Sequence, residues 1–282
     1  MTLFEPSALD LGTYLARIGF DGHASPDLAT LQSIALRHPT AIPFENLNPL
    51  LGRPVPLDIS SLQRKLVEER RGGWCFEHNW LFRRALEAIG FQVRGFASRV
   101  LWGSQPGAVG PRSHMVLTVH IDGQPYLADV GWGGTTMTAP LLLQAGIEQQ
   151  TPHETFRLVR WDGRDDEYAL EVQLGAWTPL HRFRLDEQLL PDYEVSSHWL
   201  CTHSSSFFRR ELTAARAYPG GRFALRNTSW THRRLGAEPE TRSLTSAAAI
   251  REALERDFLI RVPPGPEIDA AFERVIAAFP PA

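Results

Sequence analysis

The chain has 282 residues, 43% of them hydrophobic and 22% charged, with a formal net charge of −3. It can bury a large core, and it has no basic field that would follow a phosphate backbone, so nucleic acid is not an expected partner. No stretch reaches the roughly 18 apolar residues that a spanning helix needs, which leaves no membrane partner in view and a cytoplasmic protein expected.

The first ninety residues read as helices, with apolar residues three and four apart between recognisable caps. Asp10 precedes Leu11, Tyr14, Leu15 and Ile18, and Gly19 can end that helix. Ser25 followed by Pro26 predicts a second start, with Leu28, Leu31 and Ala35 on one face. Asp58 caps a third helix carrying Ile59, Leu62 and Leu66; a fourth starts near Cys75, runs through Leu81, Ala85, Leu86 and Ile89, and stops at Gly90. From Phe91 to about Phe183 the pattern changes to short runs of valine, leucine and aromatics, with Asp-Gly turns at Asp122-Gly123 and Asp162-Gly163. This is a β domain, sandwich or barrel. The last hundred residues mix both periods: a strand at 222–227 and helices at 247–258 and 268–279, divided by Pro263-Pro264-Gly265-Pro266.

The two cysteines, Cys75 and Cys201, make no disulfide framework and, without a C-x-x-C pair, no zinc site. The ten histidines show no metal-ligand spacing, so no metal is expected. Chemistry concentrates in RGGWCFEHN, residues 71–79. Two glycines allow a close backbone approach, and Cys75 falls at the start of the fourth helix. The unpaired N–H groups and dipole there favour the thiolate, the species that attacks carbonyls. Such a thiolate wants an imidazolium and a third group to orient the ring. His114 opens HMVLTVHI and Asp129 lies in PYLADVGWGG, with the Asp122-Gly123 turn between them. If that turn is a two-residue hairpin, Ile121 faces Gln124, Asp129 faces Val116, and His114 shares the face of Val116. His114 and Asp129 are then diagonal neighbours, roughly 7–8 Å apart at Cα, which their side chains can bridge. A carboxylate in so apolar a strand also demands a partner.

With these segments together, the sequence resembles the arylamine N-acetyltransferase family over nearly its whole length. YLARIGF, IPFENL, RGGWCFEHN, SHMVLTV, YLADVGWGG and THSSSFF all match. The resemblance implies an α+β fold with a papain-like cysteine-transferase core: a helical bundle (1–90) carrying the nucleophile, a β-barrel (91–205) carrying His and Asp, and an α/β lid (206–282). It implies acetyl transfer from acetyl-CoA, as co-substrate, to arylamines and arylhydrazines through an acetyl-cysteine, with Cys75, His114 and Asp129 as the catalytic triad. It places Phe44 and Trp132 at the acceptor pocket, Gly131, Gly133, Gly134 and Phe208 on the coenzyme side, and Arg17 with Glu45 in a buried structural ion pair. Cys201 matches no nucleophile position and reads as a structural thiol. A homodimer stays open. The same triad would also serve an amide synthase closing a polyketide macrolactam from a carrier-bound acyl chain, or a papain- or transglutaminase-like hydrolase.

Overall fold

A computed structural model describes residues 9–105 and 107–280. The chain opens with α1 (Leu11–Arg17), α2 (Leu28–Ala41), the short strand β1 (Phe44–Glu45), α3 (Leu47–Leu50), α4 (Ile59–Leu62) and α5 (Cys75–Ile89). Asp10, Asp27 and Asp58 start α1, α2 and α4, each accepting the N–H three residues on, at 3.0, 2.8 and 2.9 Å. The second start thus lies at Asp27 rather than Ser25-Pro26, because a carboxylate satisfies an orphan N–H of the first turn and proline does not. The predicted third helix continues past α4 as a π-helical turn, Gln63–Glu68, whose wider winding lets Leu62, Leu66 and Val67 all be buried. Gly90, at φ 110°, ends α5 in the left-handed region where a side chain would be strained.

The central chain builds an antiparallel eight-stranded sheet from β2 (Gln92–Val100), β3 (His114–Ile121), β4 (Gln124–Ala128), β5 (Leu141–Leu142), β6 (Glu148–Gln150), β7 (Thr155–Arg160), β8 (Glu167–Leu174) and β9 (Ala176–Glu187), in the order β5-β4-β3-β2-β9-β8-β7-β6. The Gln149 amide crosses between the two edge strands, accepting from the N–H of Leu142 at 2.8 Å and donating to its carbonyl at 2.9 Å. The sheet is therefore a nearly closed barrel. The Asp122-Gly123 hairpin forms as read, with φ 50° and 78° and Ile121 opposite Gln124. Asp162-Gly163 instead sits in a 3-10 turn, Trp161–Gly163, ahead of a longer loop to β8.

Beyond the barrel, helix α6 (Leu190–Thr202) returns to the first helices. The sequence reading missed it because apolar residues lie all round it: Tyr193, Leu200 and Cys201 are buried while Val195 and Trp199 are exposed. The C-terminal sheet, ordered β1-β10-β11-β12-β13, comprises β1 with β10 (Thr213–Tyr218), β11 (Gly221–Arg226), β12 (Ser229–Arg234) and β13 (Glu240–Ser243). Helices α7 (Ala247–Arg256) and α8 (Pro266–Ala278) share its core. Only β11 was expected among these strands. The others carry many arginines and threonines, which blur the apolar alternation.

Strand β3 joins two cores. Met115, Leu117 and Val119 pack with the helices, while Val116 points into the barrel. β1 is the other junction: Phe44 pairs with Ala215 of β10 and bridges to Gly73, two residues before Cys75. Among the described residues no helix is long and apolar enough to cross a membrane.

Candidate active site

Cys75 is the first residue of α5 and is buried, its Sγ 3.6 Å from the carbonyl oxygen of Ser113. The glycines before it permit that position. A Cβ on Gly72 would lie 2.0 Å from the carbonyl oxygen of Pro43, and one on Gly73 2.6 Å from the Glu77 carboxylate. Glu77 needs the space because it turns back to accept the N–H of Trp74 at 3.0 Å, fixing the first turn.

His114 and Asp129 meet across the hairpin as the register requires. Nε2 of His114 donates to Oδ2 of Asp129 at 2.6 Å, and the Cys75 thiol is near enough to the imidazole to favour its charged form. With Nε2 committed to the carboxylate, Nδ1 is the nitrogen left for sulfur. Burial opposes a charge on this ring, but Asp129 outweighs it and raises the His114 pKa to about 10. Burial likewise opposes ionisation of Asp129; His114, aided by His181 and Asn79, nevertheless keeps its carboxyl below the usual range.

Two residues that the sequence reading left without a role complete this arrangement. Asn79, one turn along α5 from Cys75, donates to Oδ1 of Asp129 at 2.9 Å and to the carbonyl of Met115 at 2.7 Å, and accepts from the N–H of Val130 at 3.1 Å. One amide thus ties α5 to β3 and to the segment just after β4. Its place four residues after Cys75, on the same helical face, was the available signal. His181, on β9, lies with Nε2 3.7 Å from Oδ2 of Asp129 and its ring centroid 4.9 Å from that of His114. Nothing in its surrounding run marked it out.

Among the residues carried over by resemblance, Trp132 stands edge-on to His114 at 4.9 Å and 88°. Phe44 stacks on His78 at 6.3 Å and approaches Phe208 at 6.4 Å; Trp74 closes the same aromatic wall, 5.2 Å from Phe208. Phe208, expected on the coenzyme side, therefore stands with Phe44, the residue expected at the acceptor pocket. Gly131 donates its N–H to Oδ1 of Asp129 at 2.9 Å, and a Cβ there would lie 2.9 Å from the Cα of Cys75, so it lies against Cys75. Gly133, at φ 95°, faces the ring of Phe44, while a Cβ on Gly134 would meet open space.

The expected Arg17–Glu45 pair is corrected. Glu45 is held by Arg71, at 2.7 and 3.0 Å, and also accepts the N–H of Leu47. Arg17 donates Nε to the carbonyl of Leu66. The reason is proximity: Arg71 begins the segment that bridges β1 through Gly73, whereas α1 packs on the π-helical turn. Asn46, also unassigned from sequence, donates to the carbonyls of Phe208 and Glu211 and accepts from the N–H of Thr213, pinning the chain that leads into β10. Cys201 is buried, and burial pushes its pKa up to about 11.

Residues 27–266 match the protein family described as N-acetyltransferase. The chain is 44% identical over 255 residues to an arylamine N-acetyltransferase of Mycolicibacterium smegmatis, covering 89% of this chain and 92% of that one. It is 39% identical over 250 residues to that of Escherichia coli K12, covering 88% of each. The solved structure of Mycobacterium marinum arylamine N-acetyltransferase in complex with CoA superposes with a TM-score of 0.89 at 38% identity, covering 94% of this chain and 99% of that one. The buried Cys-His-Asp line, the barrel and the full-length similarity coincide, and the chain belongs to the arylamine N-acetyltransferase family.

Proposed function

We propose that the protein transfers an acetyl group from acetyl-CoA to the nitrogen of an arylamine or arylhydrazine, in two steps through Cys75. The observation that carries this reading is the buried 2.6 Å hydrogen bond from His114 to Asp129, with the Cys75 thiol acting on the same imidazole. With Asp129 stabilising the imidazolium, His114 holds the cysteine proton and leaves a thiolate beside it. The thiolate attacks the thioester carbonyl. The oxyanion forms next to the first turn of α5, where the N–H of Cys75 has no intrahelical acceptor; one such donor lowers the barrier by about 3 kcal/mol. The C–S bond to the coenzyme then breaks, His114 gives its proton to the departing coenzyme thiolate, and acetyl-Cys75 remains.

An aromatic amine is a weak base and arrives unprotonated, so its lone pair attacks the acetyl carbon directly. His114, now neutral, takes a proton from that nitrogen as general base. The cysteine thiolate leaves as the amide forms, restoring the ion pair. Phe44 with Phe208, and Trp132 edge-on to His114, supply apolar surface for the acceptor ring. Arg71, Glu45 and Asn79 act by holding the loop, strand and helix in register around it.

The test is intact-protein mass spectrometry after mixing with acetyl-CoA and no amine. An adduct of about 42 Da, absent in Cys75→Ala and discharged by an arylamine, is expected from this two-step order. No adduct on the reduced wild-type protein would remove acetyl-CoA as donor and favour a carrier-dependent acyl transfer.

A further inference from the structure

His181 is fully buried in β9, and both of its ring nitrogens are without a hydrogen-bond partner among the described residues. Burying an imidazole in this way is unfavourable, and a phenylalanine of similar size would fill the position without unpaired polar atoms. The surroundings would suit one: Trp132 lies 5.1 Å away and Phe183 6.0 Å, centroid to centroid. Its strand partners, Val100 on β2 and Leu170 on β8, carry no charge. The titratable groups that face it are His114 on β3 and Asp129 just beyond β4. Burial, reinforced by His114, pushes its pKa down to about 3, so it faces them as a neutral ring.

The Asp129 carboxylate is unevenly served. Oδ1 accepts from Asn79 and from the N–H of Gly131, whereas Oδ2 accepts the short bond from His114. An ionised carboxylate has room for about two bonds on each oxygen. His181 Nε2 stands 3.7 Å from this oxygen, under an ångström beyond hydrogen-bond reach. A metal ion bridging the three groups would need ligand atoms roughly 3.3 Å apart, and the 2.6 Å His114–Asp129 bond leaves no such gap.

We propose that His181 is a positioning residue for acetyl transfer: its neutral Nε2–H closes onto Oδ2 of Asp129 and holds the carboxylate ionised and fixed behind His114. The inference rests on the reading of Cys75, His114 and Asp129 as the triad. It separates stability from function, because the residue that costs the fold two unpaired nitrogens is the one that completes the carboxylate's set of donors.

The experiment compares wild type, His181→Phe and His181→Gln, whose amide nitrogen can take the place of Nε2. Each is followed by the rate of Cys75 acetylation in a single turnover with acetyl-CoA between pH 5 and 9, and by thermal unfolding. His181→Phe should unfold at the same or a higher temperature, acetylate about tenfold more slowly with unchanged KM for acetyl-CoA, and lose activity on the acid side about half a pH unit earlier. His181→Gln should recover most of the rate and the acid limb. A wild-type rate and pH profile in His181→Phe, or a His181→Gln no better than His181→Phe, would overturn the proposal while leaving the triad reading intact. A wild-type protein that takes up no acetyl group would overturn both.

Discussion

The Asp129 carboxylate is buried with four groups arranged around it, and the state of His114 depends on it. Replacing it by asparagine keeps the volume but removes the charge that holds the imidazolium against burial, so the His114 pKa falls and the thiolate loses its counter-ion. Asp129→Asn should lower kcat on the order of 10⁴-fold with the fold retained, read as the rate of arylamine acetylation beside a far-ultraviolet circular dichroism spectrum. A loss below tenfold would show that the carboxylate is not needed to charge the ring. At this scale the sequence was informative for Cys75, His114 and Asp129, because each stands at a place the local period defines: a helix start, a strand start, and the residue opposite Val116. Asn79, Asn46 and His181 were not legible in the same way. Their partners are backbone groups or side chains 36 or more residues away for Asn79, 162 or more for Asn46, and 52 or more for His181.

Between elements, the contact that decides the site is that of the loop after β4 against the start of α5. Gly131 makes the approach possible, since an added Cβ would meet the Cα and carbonyl oxygen of Cys75 and the Asn79 amide, all at 2.9 Å. These are backbone or buried atoms with little freedom to give. Gly131→Ala should therefore push the loop from the helix, and a displacement near 1 Å costs on the order of 10²-fold in rate. A matched comparison of single-turnover acetylation with Gly134→Ala, where a Cβ meets nothing within 4 Å, separates crowding from a general effect of alanine in this loop. Equal rates in the two variants would refute the close-packing account. The glycines of the GG and GWGG segments were visible in the sequence, but which of them faces the nucleophile depends on how helix and hairpin dock. The correction of the Arg17 pairing has the same origin. The family resemblance pointed to an ion pair between Glu45 and Arg17, and only the bridge between β1 and Gly73 shows that Arg71 is the partner in reach.

Across the whole molecule, a second buried chain of polar groups accompanies the one through His114 and Asp129. Tyr14 donates its hydroxyl to Nδ1 of His38 at 2.8 Å, His38 Nε2 to Nδ1 of His78 at 2.9 Å, and His78 Nε2 to the carbonyl of Pro43 at 3.1 Å. Burial keeps both rings neutral, and because the carbonyl can only accept, it then sets the direction of every bond in the chain. Burial pushes His78 down to about 4 and holds His38 well below its ordinary value. Their unfolded forms bind protons from about pH 6.5 downward, so this stabilisation is complete above pH 6.5 and is lost as pH falls toward 4. His78 alone accounts for on the order of 3 kcal/mol of that loss. The urea midpoint should fall steadily between pH 7 and pH 4.5; a flat profile would mean that these rings are protonated in the folded state. By itself, the sequence determined the α+β class, the caps at Asp10, Asp58 and Gly90, the β3–β4 register and the places of Cys75, His114 and Asp129 on their elements, because caps, turns and a two-residue alternation are local properties of the chain. Tertiary structure alone decided α6, the Arg-rich C-terminal strands, the partner of Glu45, the donors around Asp129 and the Tyr14–His38–His78 chain. Each of these depends on groups distant in sequence being buried together, where an unpaired charge or hydrogen bond costs most and partners are set by docking.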